Sequence, residues 1–132
     1  MRRFFAAALM LLLGSTPLLC VENALATGRA VPLDVARKVY ATAKGRGLQV
    51  HMDGARLFNA AAALGCSAAD IAACTDSVMF CLSKGLCAPV GSILAGTEEF
   101  IRRARKNRKI LGGGMRQCGI LAAAGIVALE KM

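Results

Sequence analysis

The chain has 132 residues, with 17 basic and 8 acidic side chains and a formal net charge of +9 at pH 7. This length corresponds to a single domain and excludes a multidomain protein. Apolar residues make up 56% of the chain, against roughly 45–50% in an average globular protein, which excludes a disordered or collagen-like polypeptide.

The first 16 residues form a hydrophobic leader. Two arginines precede the apolar run 4–13, which is shorter than the roughly 20 residues of a membrane-spanning helix, so we expect no membrane span. The same run, followed by Ala24-Leu25-Ala26, which matches the A-x-A pattern of a cleavage site, is typical of a secretory signal peptide. A spurious start of translation is the alternative explanation of the leader.

After residue 16, strand and helix patterns alternate, which predicts an α/β domain with a largely parallel sheet. The predicted elements of the first half are buried strand 17–22, helix 33–46, strand 48–52, helix 55–64 and a short helix that ends near residue 74. Leu33, Ala36, Tyr40 and Ala43 share one face of the helix over 33–46. A capping box, Ser67-x-x-Asp70, begins the short helix.

The second half of the chain continues this pattern. It is predicted to contain strand 77–82, a loop over 83–88, strand 90–94, a helix over 98–109 and, after the glycines at 112–114, an apolar helix over 115–131. Thr97 is positioned to cap the helix over 98–109, whose first turn is acidic and whose later turns are strongly basic.

The cysteines predict free thiols rather than a disulfide framework or a metal site. Six cysteines are scattered without CxxC pairs, and His51 is the single histidine, so the ligand spacing of a metal site is missing. Reduced, structural thiols favour an intracellular protein.

Two polar segments follow consecutive predicted strands. One is HMDGAR at 51–56, and the other is SKG at 83–85. Ligands of open α/β sheets bind outside the carboxyl ends of the strands. There a partly desolvated Lys84 could form a Schiff base with a carbonyl compound, and Asp53 could keep the ring nitrogen of a pyridoxal cofactor protonated. The alternatives are an ordinary Asp-Gly turn, a solvated loop lysine and a core histidine at His51.

Three motifs together closely resemble the low-specificity L-threonine aldolases, which are pyridoxal 5'-phosphate (PLP)-dependent lyases of the aspartate-aminotransferase-like fold. The motifs are HMDGARLFNA at 51–60, LSKGLCAPVGS at 82–92 and LGGGMRQ at 111–117. The resemblance implies that residues 17–132 are part of a PLP-binding large domain, a partial three-layer α/β/α unit with a mostly parallel sheet. It also implies that the amino-terminal part and the carboxyl-terminal small domain of the family are missing.

By this resemblance Lys84 is the lysine that binds PLP as a Schiff base. Asp53 is the partner of the pyridine nitrogen, and Arg56 is the cation near the phenolic oxygen. Ser83 and Arg116 are candidates for contact with the cofactor phosphate, Arg116 across a subunit interface. The implied reaction cleaves a β-hydroxy-α-amino acid, L-threonine or L-allo-threonine, to glycine and an aldehyde, in a cytoplasmic homo-oligomer that binds neither nucleic acid nor membrane.

The sequence departs from the family at two places near the site. Glu22-Asn23 is followed by Ala24-Leu25, where family members show Thr-His-Asn after Glu-Asn. Cys87 stands where the family has glycine. If this position requires a positive φ, cysteine costs about 1 kcal/mol and strains the loop that carries Lys84.

The basic helix over 98–109 supports a second interpretation, a cationic protein that binds nucleic acid or another anionic surface. Phe100 is the one aromatic residue within this helix, and base stacking would need more. A solvated helix face explains the same charges. A genuine signal peptide would instead indicate a secreted protein.

Overall fold

The computed structural model describes residues 17–131, so the predicted leader over 1–16 lies outside the described residues. The elements in chain order are β1 Leu18–Glu22, α1 Leu33–Gly45, β2 Gln49–Asp53, α2 Leu57–Leu64, α3 Ala68–Ala72, β3 Ser77–Cys81, β4 Ser92–Gly96, α4 Glu98–Ile110 and α5 Gly119–Lys131.

The four strands form one sheet in the order β1-β2-β3-β4. β1 pairs with β2 and β2 pairs with β3 in parallel, whereas β4 runs antiparallel to β3. Helical crossovers separate the parallel strands, as parallel pairing requires. The α/β class and the mostly parallel sheet predicted from the sequence are therefore confirmed.

The main core lies between one face of the sheet and the helices that cross it. Met52 and Val78 project from β2 and β3 against Leu57, Ala60 and Ile71 of α2 and α3, and all five are buried. Because alternate strand residues point to opposite faces, the other face carries Asp53 and the polar partners of its strand.

α4 lies on that opposite face of the sheet. A β-carbon at Gly96 would lie 2.8 Å from Cδ1 of Phe100 and 3.3 Å from Cβ of Ser77, so the aromatic ring packs directly on the backbone of β4. Helices thus contact both faces, in agreement with the expected three-layer arrangement.

Asp76, which precedes β3, joins the amino ends of β2 and β3 to α1. Its carboxylate accepts the Val50 N–H at 2.7 Å, the Lys44 ammonium at 3.0 Å and the Tyr40 hydroxyl at 3.1 Å. Burial favours a higher pKa for Asp76, but the Val50 N–H and the Lys44 and Tyr40 side chains outweigh it and lower the pKa below the ordinary 3.8. This network fixes the end of the sheet that lies away from the candidate site.

Local sequence signals are confirmed at two helix starts and along α1. Ser67 and Asp70 form both hydrogen bonds of a capping box at α3, and Thr97 Oγ1 accepts the Phe100 N–H at 3.3 Å at α4. The predicted apolar face of α1 is turned inward, with Ala43 fully buried.

Four predicted elements are wrong in detail. β1 is not buried: Leu18, Cys20 and Glu22 are exposed, because an edge strand has one face that no described element covers. β4 begins at residue 92 rather than 90, since its register with β3 starts at the pair Cys81 and Ser92.

The two helix corrections have backbone causes. α2 begins at residue 57 rather than 55 because Arg56 has the non-helical angles φ −116° and ψ 32°. α5 begins at residue 119 rather than 115 because Gln117 has φ +53°, a left-handed conformation that a right-handed helix cannot include.

All six cysteines lie within the described residues and are free thiols, as expected from their spacing. Within residues 17–131, no helix has the length and apolarity that crossing a membrane requires.

Candidate active site

Asp53 is the last residue of β2, and its side chain is exposed at the carboxyl end of the strand. Oδ1 accepts the Ala55 N–H at 3.0 Å. This bond fixes the carboxylate at the start of the turn into α2 and leaves Oδ2 without a partner among residues 17–131. The structure thus holds one carboxylate oxygen available at this edge of the sheet.

Gly54 brings this turn directly against β3. Its N–H donates to the Met79 carbonyl at 2.8 Å. A β-carbon at residue 54 would lie 2.9 Å from that same oxygen and 3.0 Å from Cγ2 of Val78. Only glycine fits this approach without displacing β3, which explains why glycine follows Asp53.

Arg56 immediately precedes α2 and is exposed. It stands three residues after Asp53, and the buried Leu57 that follows it anchors the start of α2 in the core. The guanidinium therefore belongs to the same strand-to-helix turn as the carboxylate.

Lys84 lies in the segment that follows β3, residues 83–88, which we call the lysine loop. The loop is closed by two backbone hydrogen bonds, from the Cys87 N–H to the Lys84 carbonyl and from the Ala88 N–H to the Leu82 carbonyl, both at 3.0 Å. Leu82, Leu86 and Ala88 are buried in a second apolar cluster with Ala128 of α5.

This anchoring leaves Ser83 and Lys84 exposed. Cys87 has φ +55°, which is the positive φ at which a cysteine is expected to strain the lysine loop.

Two contacts join the lysine loop and the end of β3 to the turn that carries Asp53 and Arg56. The Cys81 N–H donates to the Ala55 carbonyl at 3.3 Å. A β-carbon at Gly85 would lie 2.6 Å from Oδ1 of Asn59, so the Asn59 carboxamide occupies the space beside the residue that follows Lys84.

Sequence reasoning missed Asn59, although it lies within the quoted motif at 51–60. No local signal marks this residue, because its contact depends on how α2 packs beside the lysine loop. Gly85 has no β-carbon and therefore leaves room for the Asn59 carboxamide.

The structure brings four of the five predicted site residues to one edge of the sheet. Asp53 ends β2 and Arg56 follows it, and Ser83 and Lys84 follow the neighbouring parallel strand β3. Arg116 lies in the segment between α4 and α5 and is exposed. Across residues 17–131, no hydrogen bond or ion pair links Arg116 to the other four.

His51 lies on the sheet face of Asp53, two residues before it along β2. Its Nδ1 is 2.8 Å from Oγ of Ser77, and the imidazole is half-buried. This agrees with the alternative interpretation of His51 as a hydrogen-bonded structural histidine.

The basic residues of α4 are exposed, and none of the helix is buried. Glu99 forms an ion pair with Arg102 at 2.7 Å, on a surface where such pairs stabilise a helix only slightly. The helix is thus a solvated cationic face over most of its length.

The family profile described as Beta-eliminating lyase matches residues 12–132. The chain belongs to this family. It is 50% identical over 119 residues to low-specificity L-threonine aldolase 1 of Arabidopsis thaliana, an alignment that covers 89% of this chain and 33% of the relative. It is 49% identical over 116 residues to the low specificity L-threonine aldolase of Escherichia coli K12, covering 88% of this chain and 34% of the relative.

Solved structures show the same relationship. A structure from Listeria monocytogenes assigned as an L-allo-threonine aldolase superposes with a TM-score of 0.77 at 27% identity, covering 85% of this chain and 32% of that one. The structure of threonine aldolase from Leishmania major has the same fold, with a TM-score of 0.69 at 23% identity, covering 84% of this chain and 33% of that one. The resemblance to the threonine aldolases is confirmed, and the chain spans about a third of the length of the relatives it matches.

Proposed function

We propose that this beta-eliminating lyase family member is a PLP-dependent carbon–carbon lyase of the threonine aldolase type. Its substrate is a β-hydroxy-α-amino acid such as L-threonine or L-allo-threonine, and its products are glycine and an aldehyde. The observation that carries the proposal is the placement of a lysine, a carboxylate and a guanidinium at the carboxyl ends of two adjacent parallel strands within this short chain.

The donor set at this edge fits PLP. Asp53 has a carboxylate oxygen available for the proton of a pyridine nitrogen, and the amine of Lys84 is exposed for attachment to an aldehyde. Gly54 lets the Asp53 turn lie against β3, and Gly85 leaves room for the Asn59 side chain of α2 beside the lysine loop. These are the groups that PLP chemistry requires of its protein.

Each residue has a separate role in the proposed reaction. PLP supplies an electron sink for the bond that breaks between Cα and Cβ of the substrate. Lys84 binds the cofactor covalently, Asp53 holds a proton on the ring nitrogen, and Arg56 places positive charge beside the phenolic oxygen. Ser83, next to Lys84, contributes a hydroxyl to the phosphate.

Arg116 is assigned to the phosphate of a neighbouring copy, which makes a homo-oligomer part of the proposal. Its position outside the cluster formed by the other four residues supports this assignment. We further propose a cytoplasmic location, in keeping with six free thiols.

The decisive experiment is a visible absorption spectrum after PLP is added to the purified chain and the excess is dialysed away. We expect a retained yellow band in the wild-type chain and none in Lys84→Ala. Lys106→Ala, which removes an exposed lysine of α4, is the matched control and should keep the band.

Borohydride reduction followed by peptide mapping should locate the cofactor on Lys84. A chain that retains PLP equally well in Lys84→Ala would contradict the assignment of this lysine. A chain that retains none would contradict a functional cofactor site in this chain. If the band is present, release of glycine from L-threonine and from L-allo-threonine tests the reaction and its stereochemical preference.

A further inference from the structure

We propose that Asn59 is a positioning residue that holds the lysine loop against α2 and thereby sets the place of Lys84 relative to Asp53 and Arg56. The meaning of this contact for catalysis rests on the proposed function. The contact itself is a property of the folded chain and can be tested without cofactor.

The geometry of the contact is one that a residue with a β-carbon at position 85 would not allow. The Asn59 carboxamide fills the volume that a β-carbon at residue 85 would need, with Oδ1, Cγ and Nδ2 at 2.6, 3.0 and 3.3 Å from that position. All three atoms of the amide group therefore lie against the backbone of the residue that follows Lys84. This planar group limits how far the lysine loop can move toward α2.

The position of Asn59 in the chain makes this contact useful. Asn59 lies in the first turn of α2, three residues after Arg56 and six after Asp53. α2 is itself fixed in the core by Leu57 and Ala60. A contact from this rigid helix to residue 85 therefore transfers the position of the Asp53 turn to the lysine loop.

A second contact cannot provide the same restraint. The hydrogen bond from Cys81 to Ala55 fixes the end of β3, but it lies three residues before Lys84. Beyond it, Leu86 and Ala88 of the lysine loop lie in the apolar cluster with Ala128 of α5, and Phe58 of α2 packs against that cluster. Asn59 differs from Phe58 because it lies beside residue 85, directly next to Lys84.

The cofactor-free test is amide hydrogen exchange at Cys87 and Ala88, whose N–H groups close the lysine loop, with Val50 in the central strand as the reference for global opening. In Asn59→Ala we expect exchange at the two loop amides to be roughly fivefold faster, the ratio given by about 1 kcal/mol of lost coupling, with Val50 unchanged. Asn59→Asp keeps the shape of the side chain and should restore wild-type protection.

A double-variant cycle tests whether the two residues act through one contact. Gly85→Ala forces the Asn59 carboxamide away, so it should loosen the loop as much as Asn59→Ala does. In the double variant the new methyl group occupies vacated space, and loop exchange should be no faster than in either single variant. Additive effects would overturn the proposal, as would unchanged loop exchange in Asn59→Ala.

Helix propensity is controlled separately. Asn59→Ala also raises the helix propensity of α2, so Ala62→Asn, at an exposed position of the same helix, changes the propensity in the opposite sense. It should leave exchange at Cys87 and Ala88 unchanged relative to Val50.

The positioning role itself is measured as the initial rate at which PLP and borohydride modify Lys84. We expect this rate to fall roughly fivefold in Asn59→Ala and to recover in Asn59→Asp. Faster loop exchange with an unchanged labelling rate would show a purely structural contact and overturn the positioning role. If wild-type Lys84 is never labelled, the proposed function fails, while the exchange cycle still decides whether Asn59 holds the loop.

Discussion

Replacing Cys87 with glycine should stabilise the fold. Cys87 has φ +55° in the lysine loop, and a side chain in the left-handed region costs about 1–2 kcal/mol because Cβ approaches the following carbonyl oxygen. Glycine removes this cost, but it also gives the unfolded chain more conformational entropy. That entropy cancels about 0.5–1 kcal/mol of the gain in stability. The net expectation for Cys87→Gly is a gain of about 0.5–1 kcal/mol.

Little else should change at this position. The Cys87 side chain is exposed, so removing it loses little packing, and the hydrogen bond from its N–H to the Lys84 carbonyl is kept. The strain that is relieved lies in the loop that carries Lys84. We therefore expect PLP to be retained at least as well by Cys87→Gly as by the wild-type chain.

The assay is urea unfolding followed by far-ultraviolet circular dichroism. The midpoint should rise in Cys87→Gly with an unchanged slope, and for a domain of this size the melting temperature should rise by about 2–6 °C. Cys87→Ala is the matched control, because it removes the thiol but keeps the β-carbon, and its stability should stay near that of the wild type. If the glycine and alanine variants were equally stable, the explanation by backbone strain at residue 87 would be refuted.

Two further substitutions and one binding measurement test other parts of the chain. Asp76→Asn should cost about 1–2 kcal/mol at pH 7, because Lys44 loses its ion pair and the Val50 N–H loses a charged acceptor. The folded-state pKa of Asp76 is lowered, so the stability that its carboxylate contributes is present above the unfolded pKa and is lost as the pH falls through the folded pKa. The wild-type chain and the variant should therefore have the same stability in urea unfolding at acidic pH. Gly96→Ala should cost about 1–3 kcal/mol by thermal unfolding, because the added carbon meets Phe100 at 2.8 Å. Salt-titrated binding to single- and double-stranded nucleic acid should be weak at physiological salt, because Phe100 is the one aromatic residue of α4 that could stack on a base and charge alone gives salt-sensitive contacts.

Each of these three predictions has an outcome that would contradict it. A gap between Asp76→Asn and wild type that persists at acidic pH would show that the carboxylate charge is not the source of stability. Gly119→Ala adds a carbon where no atom lies within 4 Å, so a loss there equal to that of Gly96→Ala would refute the steric explanation. Tight nucleic-acid binding with a steep salt slope would support the cationic binder instead of the lyase.

Much of the candidate site could be predicted because its residues stand in contiguous motifs. Asp53 and Arg56 share the turn from β2 to α2, and Ser83 and Lys84 share the loop that follows β3. Because the sheet was predicted to be largely parallel, the carboxyl ends of these two consecutive strands were expected at one edge. The resemblance to the threonine aldolases then assigned a role to each residue, and the family comparison confirmed the resemblance.

Asn59 and Asp76 show what the sequence did not reveal. Asp76 precedes β3, and it joins α1 to β2 through residues 26 to 36 positions away. The contact between Asn59 and Gly85 likewise spans two elements. Such contacts depend on how helices pack on the sheet, and no local pattern encodes that packing.

The sequence by itself determined the order and type of the elements, because hydrophobic periodicity and capping residues such as Ser67 and Thr97 act over a few neighbouring residues. Only the tertiary structure decided that β4 runs antiparallel, that β1 is an exposed edge strand, and that residue 87 has a left-handed backbone conformation. Each of these depends on which segments become neighbours in space. The choice of neighbours is set by how the whole core is buried, and this burial depends on all segments of the chain together.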